Sequence, residues 1–189
     1  THGIFTLESE IPEARTESGG ITLNNDLYVL GGLSYRGKTL KSVYRYSTLD
    51  SSWVKVKDLP EPINHVGVVQ DGQFIYAVGG FEPLTLRIRG FMFANWKPLN
   101  TFYKYDPKIN KWFKLASMPE ARGAGGVCIS NDTIWYIGGI NKNKVISNSL
   151  FGYCIKSKKW FKSVPMNYAR DHLRAEAVNG KVYAISGRK

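Results

Sequence analysis

One short pattern recurs four times along the chain and limits its fold more than any other feature. An apolar, aromatic-bearing run ends each time in a pair of small residues: Leu27-Tyr28-Val29-Leu30-Gly31-Gly32, Ile75-Tyr76-Ala77-Val78-Gly79-Gly80, Ile134-Trp135-Tyr136-Ile137-Gly138-Gly139 and Val182-Tyr183-Ala184-Ile185-Ser186-Gly187. The pairs are 48, 59 and 48 residues apart. Self-similarity at such a period marks an array of supersecondary units, none of which can bury its own apolar face alone. Each of the first three pairs is followed by a Tyr and, seven residues later, a Trp: Tyr46 and Trp53, Tyr105 and Trp112, Tyr153 and Trp160.

Within each period, four short apolar or alternating runs are separated by turn residues, which predicts four strands, A to D. In the third period these are 126–129, 133–137, 149–155 and 159–164. Asn25-Asp26, Asp71-Gly72, Asn131-Asp132 and Asn179-Gly180 stand between A and B, where a tight hairpin needs residues that accept positive φ. No window carries a sustained 3.6-residue apolar period with a cap, so helix is expected to be close to absent.

These motifs, together with the Pro-x-Ala-Arg runs Pro12-Glu13-Ala14-Arg15 and Pro119-Glu120-Ala121-Arg122, resemble the kelch repeat over nearly the whole chain. Asn64-His65-Val66-Gly67 and Ala169-Arg170-Asp171-His172-Leu173 are most similar to kelch arrays of bacteria and archaea. The resemblance implies an all-β propeller of four-stranded antiparallel blades, six or seven in a complete ring. The segments expected are a D strand of another blade over 1–10, blades over 11–60, 61–119 and 120–165, and strands A and B of a partial blade over 166–189, 15 strands in all. So incomplete a ring reads as a fragment, or as half of a two-chain assembly, and its open blade faces favour self-association.

In such a meander the D-to-A and B-to-C connections share one face of the disc. Arg15, Arg122 and Arg170 each precede a small-residue pair by 16 residues, with Ile63 at that position in the second repeat, followed by Asn64 and His65; His172 follows Arg170 by two. Two readings stand for the arginines: bonds to a neighbouring blade's carbonyls, or a cationic mouth for carboxylate, phosphate or acidic peptide. The second B-to-C connection, 81–99, has 11 extra residues and holds Arg87, Arg89, Phe91, Met92, Phe93 and Trp96, residue types enriched at binding hot spots. It is read either as a partner-binding loop or as a plug over the channel.

The net charge of +11, with only 22% charged residues and 43% apolar ones, fits a globular chain with a basic bias and excludes disorder. Many of the lysines fall in or beside D strands, as expected of exposed blade edges. Nucleic acid is not expected as a partner, since only the 81–99 loop mixes cations with aromatics. No run approaches a membrane span and no targeting segment is evident, so a soluble protein is expected, whether cytoplasmic or exported.

Asn131-Asp132-Thr133 fits an N-glycosylation pattern but is read as a hairpin turn. No nucleophile, metalloprotease or phosphate-loop motif occurs. His65, His172 and a tyrosine could be drawn together around a metal, but their spacing does not require it, and neither a metal nor a cofactor is expected. The resulting expectation is a non-catalytic binding module for a protein, an acidic small ligand or a glycan, using Arg15, His65, Arg87, Arg89, Trp96, Arg122, Arg170 and His172. The resemblance also admits an alternative, a carbohydrate-active propeller enzyme similar to sialic acid mutarotases or copper oxidases, with His, Glu17 or Glu176 as acid or base. Cys128 on strand A and Cys154 on strand C, about 9.5 Å apart across B, are expected to be buried free thiols.

Overall fold

In the computed structural model, which describes residues 9–83 and 96–189, the described residues form strands, bridges and turns, with no helix. Blade 1 is the meander β2 (Gly19–Leu23), β3 (Asp26–Leu30), β5 (Val43–Ser47) and β6 (Ser52–Lys55). Blade 2 consists of β7 (Gly67–Gln70), β8 (Ile75–Val78), β9 (Phe102–Asp106) and β10 (Lys111–Lys114). Blade 3 consists of β12 (Gly126–Ser130), β13 (Thr133–Ile137), β15 (Leu150–Cys154) and β16 (Lys159–Lys162). A two-stranded hairpin follows, β17 (Arg174–Val178) and β18 (Lys181–Ile185). The A strands β2, β7, β12 and β17 pack successively, in chain order. The D strand expected over 1–10 falls mostly on residues outside those described.

The seven-residue Tyr–Trp spacing is the span of a C–D hairpin. It sets Tyr46 opposite Trp53, Tyr105 opposite Trp112 and Tyr153 opposite Trp160, with ring centroids 5.1, 4.9 and 5.2 Å apart. Each Trp also ties its blade to the preceding segment: Nε1 of Trp53, Trp112 and Trp160 donates to the carbonyls of Ser9, Lys57 and Ala116 at 2.9, 2.9 and 2.7 Å. The first A–B turn is shifted by one residue from its expected place. Asn24 and Asn25 both take positive φ, 52° and 67°, so they make the turn and Asp26 opens β3.

The glycine pairs join consecutive blades. Gly32, Gly80 and Gly139 donate their N–H to the carbonyls of Ile63, Arg122 and Arg170 at 2.8, 2.9 and 2.8 Å. The first glycine of each pair is pressed against the same carbonyl, where a Cβ would lie 2.2 to 2.5 Å from the oxygen, and its φ is positive. A side chain there fails on both counts. The apolar core lies between blades: Leu30, Leu59, Ile63 and Tyr105 fill one layer, Val78, Met118, Tyr136 and Phe151 the next, and Cys128, Ile137, Leu173 and Ala175 the third.

Both cysteines are free, but only Cys128 is buried, its thiol pushed up to about 11 by burial and by Glu176. Cys154, the last residue of its strand, is half-buried. A hydrogen bond from Ser157 lowers its thiol pKa.

Candidate functional site

The D-to-A and B-to-C connections pair with one another. β1 (Arg15–Thr16) pairs with β4 (Leu33–Ser34), and β11 (Arg122–Gly123) with β14 (Ile140–Asn141). Single bridges Asn64–Phe81 and Asp171–Arg188 repeat this in the other two units. Among the described residues, these paired segments make up one end of the blade stack.

Two of the arginines turn inward from that face. Arg122 is 1% exposed, and its Nη1 donates to the carbonyls of Gly138 and Ser149 at 3.0 and 3.4 Å. Its Nη2 donates to Glu120 Oε2 at 2.8 Å and to the Ser149 hydroxyl, and the guanidinium lies over the Phe151 ring. Arg15 repeats this on Gly31, Ser42 and Glu13, with its side chain 2% exposed. The carbonyls belong to each arginine's own blade, not to the neighbour's. An open ring of guanidiniums is therefore not formed at Arg15 or Arg122: they close the gap left where strand B ends and strand C begins. Arg170 makes only the counterparts to Ala184 and Ser186, at 3.3 and 3.2 Å.

A second column of residues, two positions after the arginines, gathers closest to the axis. Glu17, His65, Ala124 and His172 occupy the same place in successive repeats, each with φ between 49° and 57°. Their backbones are linked in series: His65 N–H donates to Glu17 O at 2.8 Å, Ala124 to His65 O at 3.4 Å and His172 to Ala124 O at 2.7 Å. The side chains converge. His65 and His172 meet edge to face with centroids 4.9 Å apart, and the ligand atoms of Glu17, His65 and His172 all lie within 4.8 Å of one another.

His65 is held on every side. Its ring packs on Phe81 and Trp96 at 5.4 and 4.8 Å. Asn64 gives its amide N–H to Thr39 Oγ1 and the Phe81 carbonyl, which leaves its Oδ1 to accept from His65 Nδ1 at 2.7 Å. This fixes the proton on Nδ1. Burial, reinforced by His172 and Arg188 and opposed by Asp171, pushes His65 down to about 3, so the ring is neutral. The approach of its Nε2 to Glu17 Oε2 at 3.0 Å is accordingly not an ion pair, and Nε2 makes no hydrogen bond. His172 Nδ1 lies 3.0 Å from Oδ1 of the buried Asp171, which also takes Arg188 Nε at 3.0 Å.

Of the residues expected at the site, His65, His172 and Trp96 come together and Arg170 stands nearby, whereas Arg15 and Arg122 lie within their blades. Arg87 and Arg89 lie outside the described residues. Glu17, named in the sequence only as a candidate acid or base, is brought into the same cluster. The signal for it was present in the repeat register, since Glu17, His65 and His172 each precede a small-residue pair by 14 residues.

Comparison with known proteins agrees with this architecture. The chain is 27% identical over 188 residues to Kelch-like protein terF of Aspergillus terreus, which covers 93% of the chain and 39% of that protein. It is 26% identical over 174 residues to Kelch-like protein 35 of Mus musculus, 92% of the chain and 27% of that protein. These relatives are fungal and animal, where the motifs suggested bacterial or archaeal arrays. The chain spans well under half the length of both. Among solved structures it is similar to YjhT, with a TM-score of 0.78 at 19% identity over 94% of this chain and 60% of that one, a likeness of fold. Residues 3–187 match the KLHDC2/KLHL20/DRC7 Kelch-repeats domain, and the chain, with its blades, glycine clamps and tryptophan ties, belongs to the kelch-repeat β-propeller family.

Proposed function

We propose that this stretch of propeller is a non-catalytic docking platform, and that a protein partner or an acidic ligand is held on the face made by the D-to-A and B-to-C connections. The observation that carries this reading is the anchoring of the long 81–99 connection. Phe81 bridges Pro98, and Trp96, 7% exposed, packs on both Phe81 and His65 beside the axis. The connection thus leaves and re-enters the face through a fixed apolar base, and what it carries between is two arginines and several aromatic residues. Fixed anchors at both ends of a connection rich in cations and aromatics suit an interface hot spot, because these are the residue types on which binding energy concentrates. Arg170 lies at the same mouth and adds positive charge for a carboxylate or phosphate, with the His172 imidazole close by.

The test is a comparison of partner recovery by the full protein and by its Arg87→Glu/Arg89→Glu variant, using partners first identified with the unaltered protein and then purified. Affinity is expected to fall at least about tenfold, as for paired hot-spot cations, with unchanged thermal stability. Equal affinity for the two proteins would refute the loop as the docking element.

A further inference from the structure

We propose that Glu17, His65 and His172 form a binding site for a divalent transition metal of the zinc class at the mouth of the propeller axis. The proposal is independent of the docking function and rests on different residues from those tested above.

The geometry is that of a three-ligand site with an open position. Zn–N and Zn–O bonds of about 2.0–2.2 Å place tetrahedral ligand atoms roughly 3.3 Å apart. Here Glu17 Oε2 and His65 Nε2 are 3.0 Å apart, and the whole set lies within 4.8 Å, a difference that small rotations of His172 and Glu17 would close. Ala124, the fourth member of the column, carries only a methyl group and packs with Phe81 and Trp96. One carboxylate and two imidazoles are a donor set suited to zinc and its neighbours, not to the all-oxygen preference of calcium or magnesium.

The strongest indication is at His65 itself. Its side chain is 2% exposed, its only proton is directed to Asn64, and its Nε2 lone pair therefore points without a hydrogen bond towards the carboxylate of Glu17. Two lone pairs facing each other at 3.0 Å, one of them on a buried imidazole, repel, and a cation between them turns that repulsion into ligation. Both imidazoles also carry the outer partners that metal-bound histidines need. The residue preceding each one, Asn64 or Asp171, receives or flanks its Nδ1 at 2.7 and 3.0 Å, which leaves Nε2 for the metal. One group opposes binding: Arg188 Nη2 lies against both ring nitrogens of His172, at 2.5 Å from Nδ1 and 3.1 Å from Nε2. Its side chain is 63% exposed, so it can swing into solvent, and it competes with the metal for that nitrogen.

The chain is titrated with Co2+, whose visible absorption reports four- or five-coordinate nitrogen and oxygen ligation, and Zn2+ is then used as competitor. Expected are saturation at one equivalent, displacement by one equivalent of Zn2+, and at least about tenfold weaker binding in His172→Gln and in Glu17→Gln. Both positions are partly exposed, so these variants should keep the fold, whereas His65→Gln can fail by misfolding and is read only if its circular dichroism is native. Arg188→Ala should bind more tightly. Absence of saturable binding at millimolar Co2+, or affinity unaltered in His172→Gln and Glu17→Gln, would overturn the site.

Discussion

Arg122 and Arg170 occupy the same repeat position in unequal settings, which makes their contributions separable. Arg122 is enclosed, with its donors on two carbonyls, a hydroxyl and Glu120. Truncation would leave those acceptors buried without a donor, at a cost of about 3 kcal/mol. Arg170 makes two bonds of 3.2 and 3.3 Å from a half-exposed position, so its loss should cost under about 1 kcal/mol. Differential scanning calorimetry of Arg122→Ala and Arg170→Ala is expected to show a fall of roughly 6–12 °C for the first and only a few degrees for the second. Equal shifts would show that the enclosed guanidinium is no more structural than the open one. The sequence gives the two arginines the same register and could not rank them, because the difference lies in the rest of the blade. Strand C, with Ser149 and Phe151, completes the cage around Arg122, while the described hairpin offers Arg170 carbonyls from strand B only.

At the scale of the strand and its turns, most of the structure was legible in advance. Period, strand order and the hairpin residues follow from local chemistry repeated in register, and repetition averages out local exceptions. What could not be read were contacts made only when distant segments arrive together. The short β1–β4 and β11–β14 pairs carry no strand signature of their own, and the Glu17, His65 and His172 cluster joins residues one to three repeats apart. The recurrence marks the glycine pairs as important, but it does not reveal that the atom pressed against them is the next blade's carbonyl. This gives a sharp contrast between two glycines. At Gly79, φ is +60° and a Cβ would lie 2.5 Å from Arg122 O, whereas a Cβ at Gly20 meets nothing within 4 Å. Gly79→Ala is expected to lose about 3 kcal/mol through a left-handed backbone and a displaced blade, and Gly20→Ala to be neutral or to gain up to about 1 kcal/mol. Urea unfolding of both variants checks this, and a Gly79→Ala protein as stable as the parent would show that the pair is not the inter-blade clamp.

For the molecule as a whole, the decisive quantity is how each blade's flank is covered. The residue just before the small-residue pair is Leu30, Val78 or Ile137 in the three complete blades, 0%, 0% and 1% exposed. In the β17–β18 hairpin the same position is Ile185, 48% exposed, and Tyr183 is 47% exposed where Tyr28 and Tyr76 are 3%. The difference is not in the residues, which are as apolar as their counterparts, but in the absence of a packed neighbour among the described residues. Ser186 extends the contrast, since it occupies with φ 60° the place that glycine takes where the next blade's carbonyl presses in. Apolar flanks of this kind associate when concentration allows, because covering one such side chain yields roughly 1.5–3 kcal/mol. Light scattering on the 21.3 kDa chain is therefore expected to show a mass that rises with concentration, and Ile185→Asp to hold it at that of the monomer. The substitution should leave the three complete blades intact, because Ile185 lies outside their core layers. A parent chain that stays monomeric at every concentration would mean that the hairpin flank is covered within the chain itself, and the open-flank description of the fourth unit would have to be abandoned.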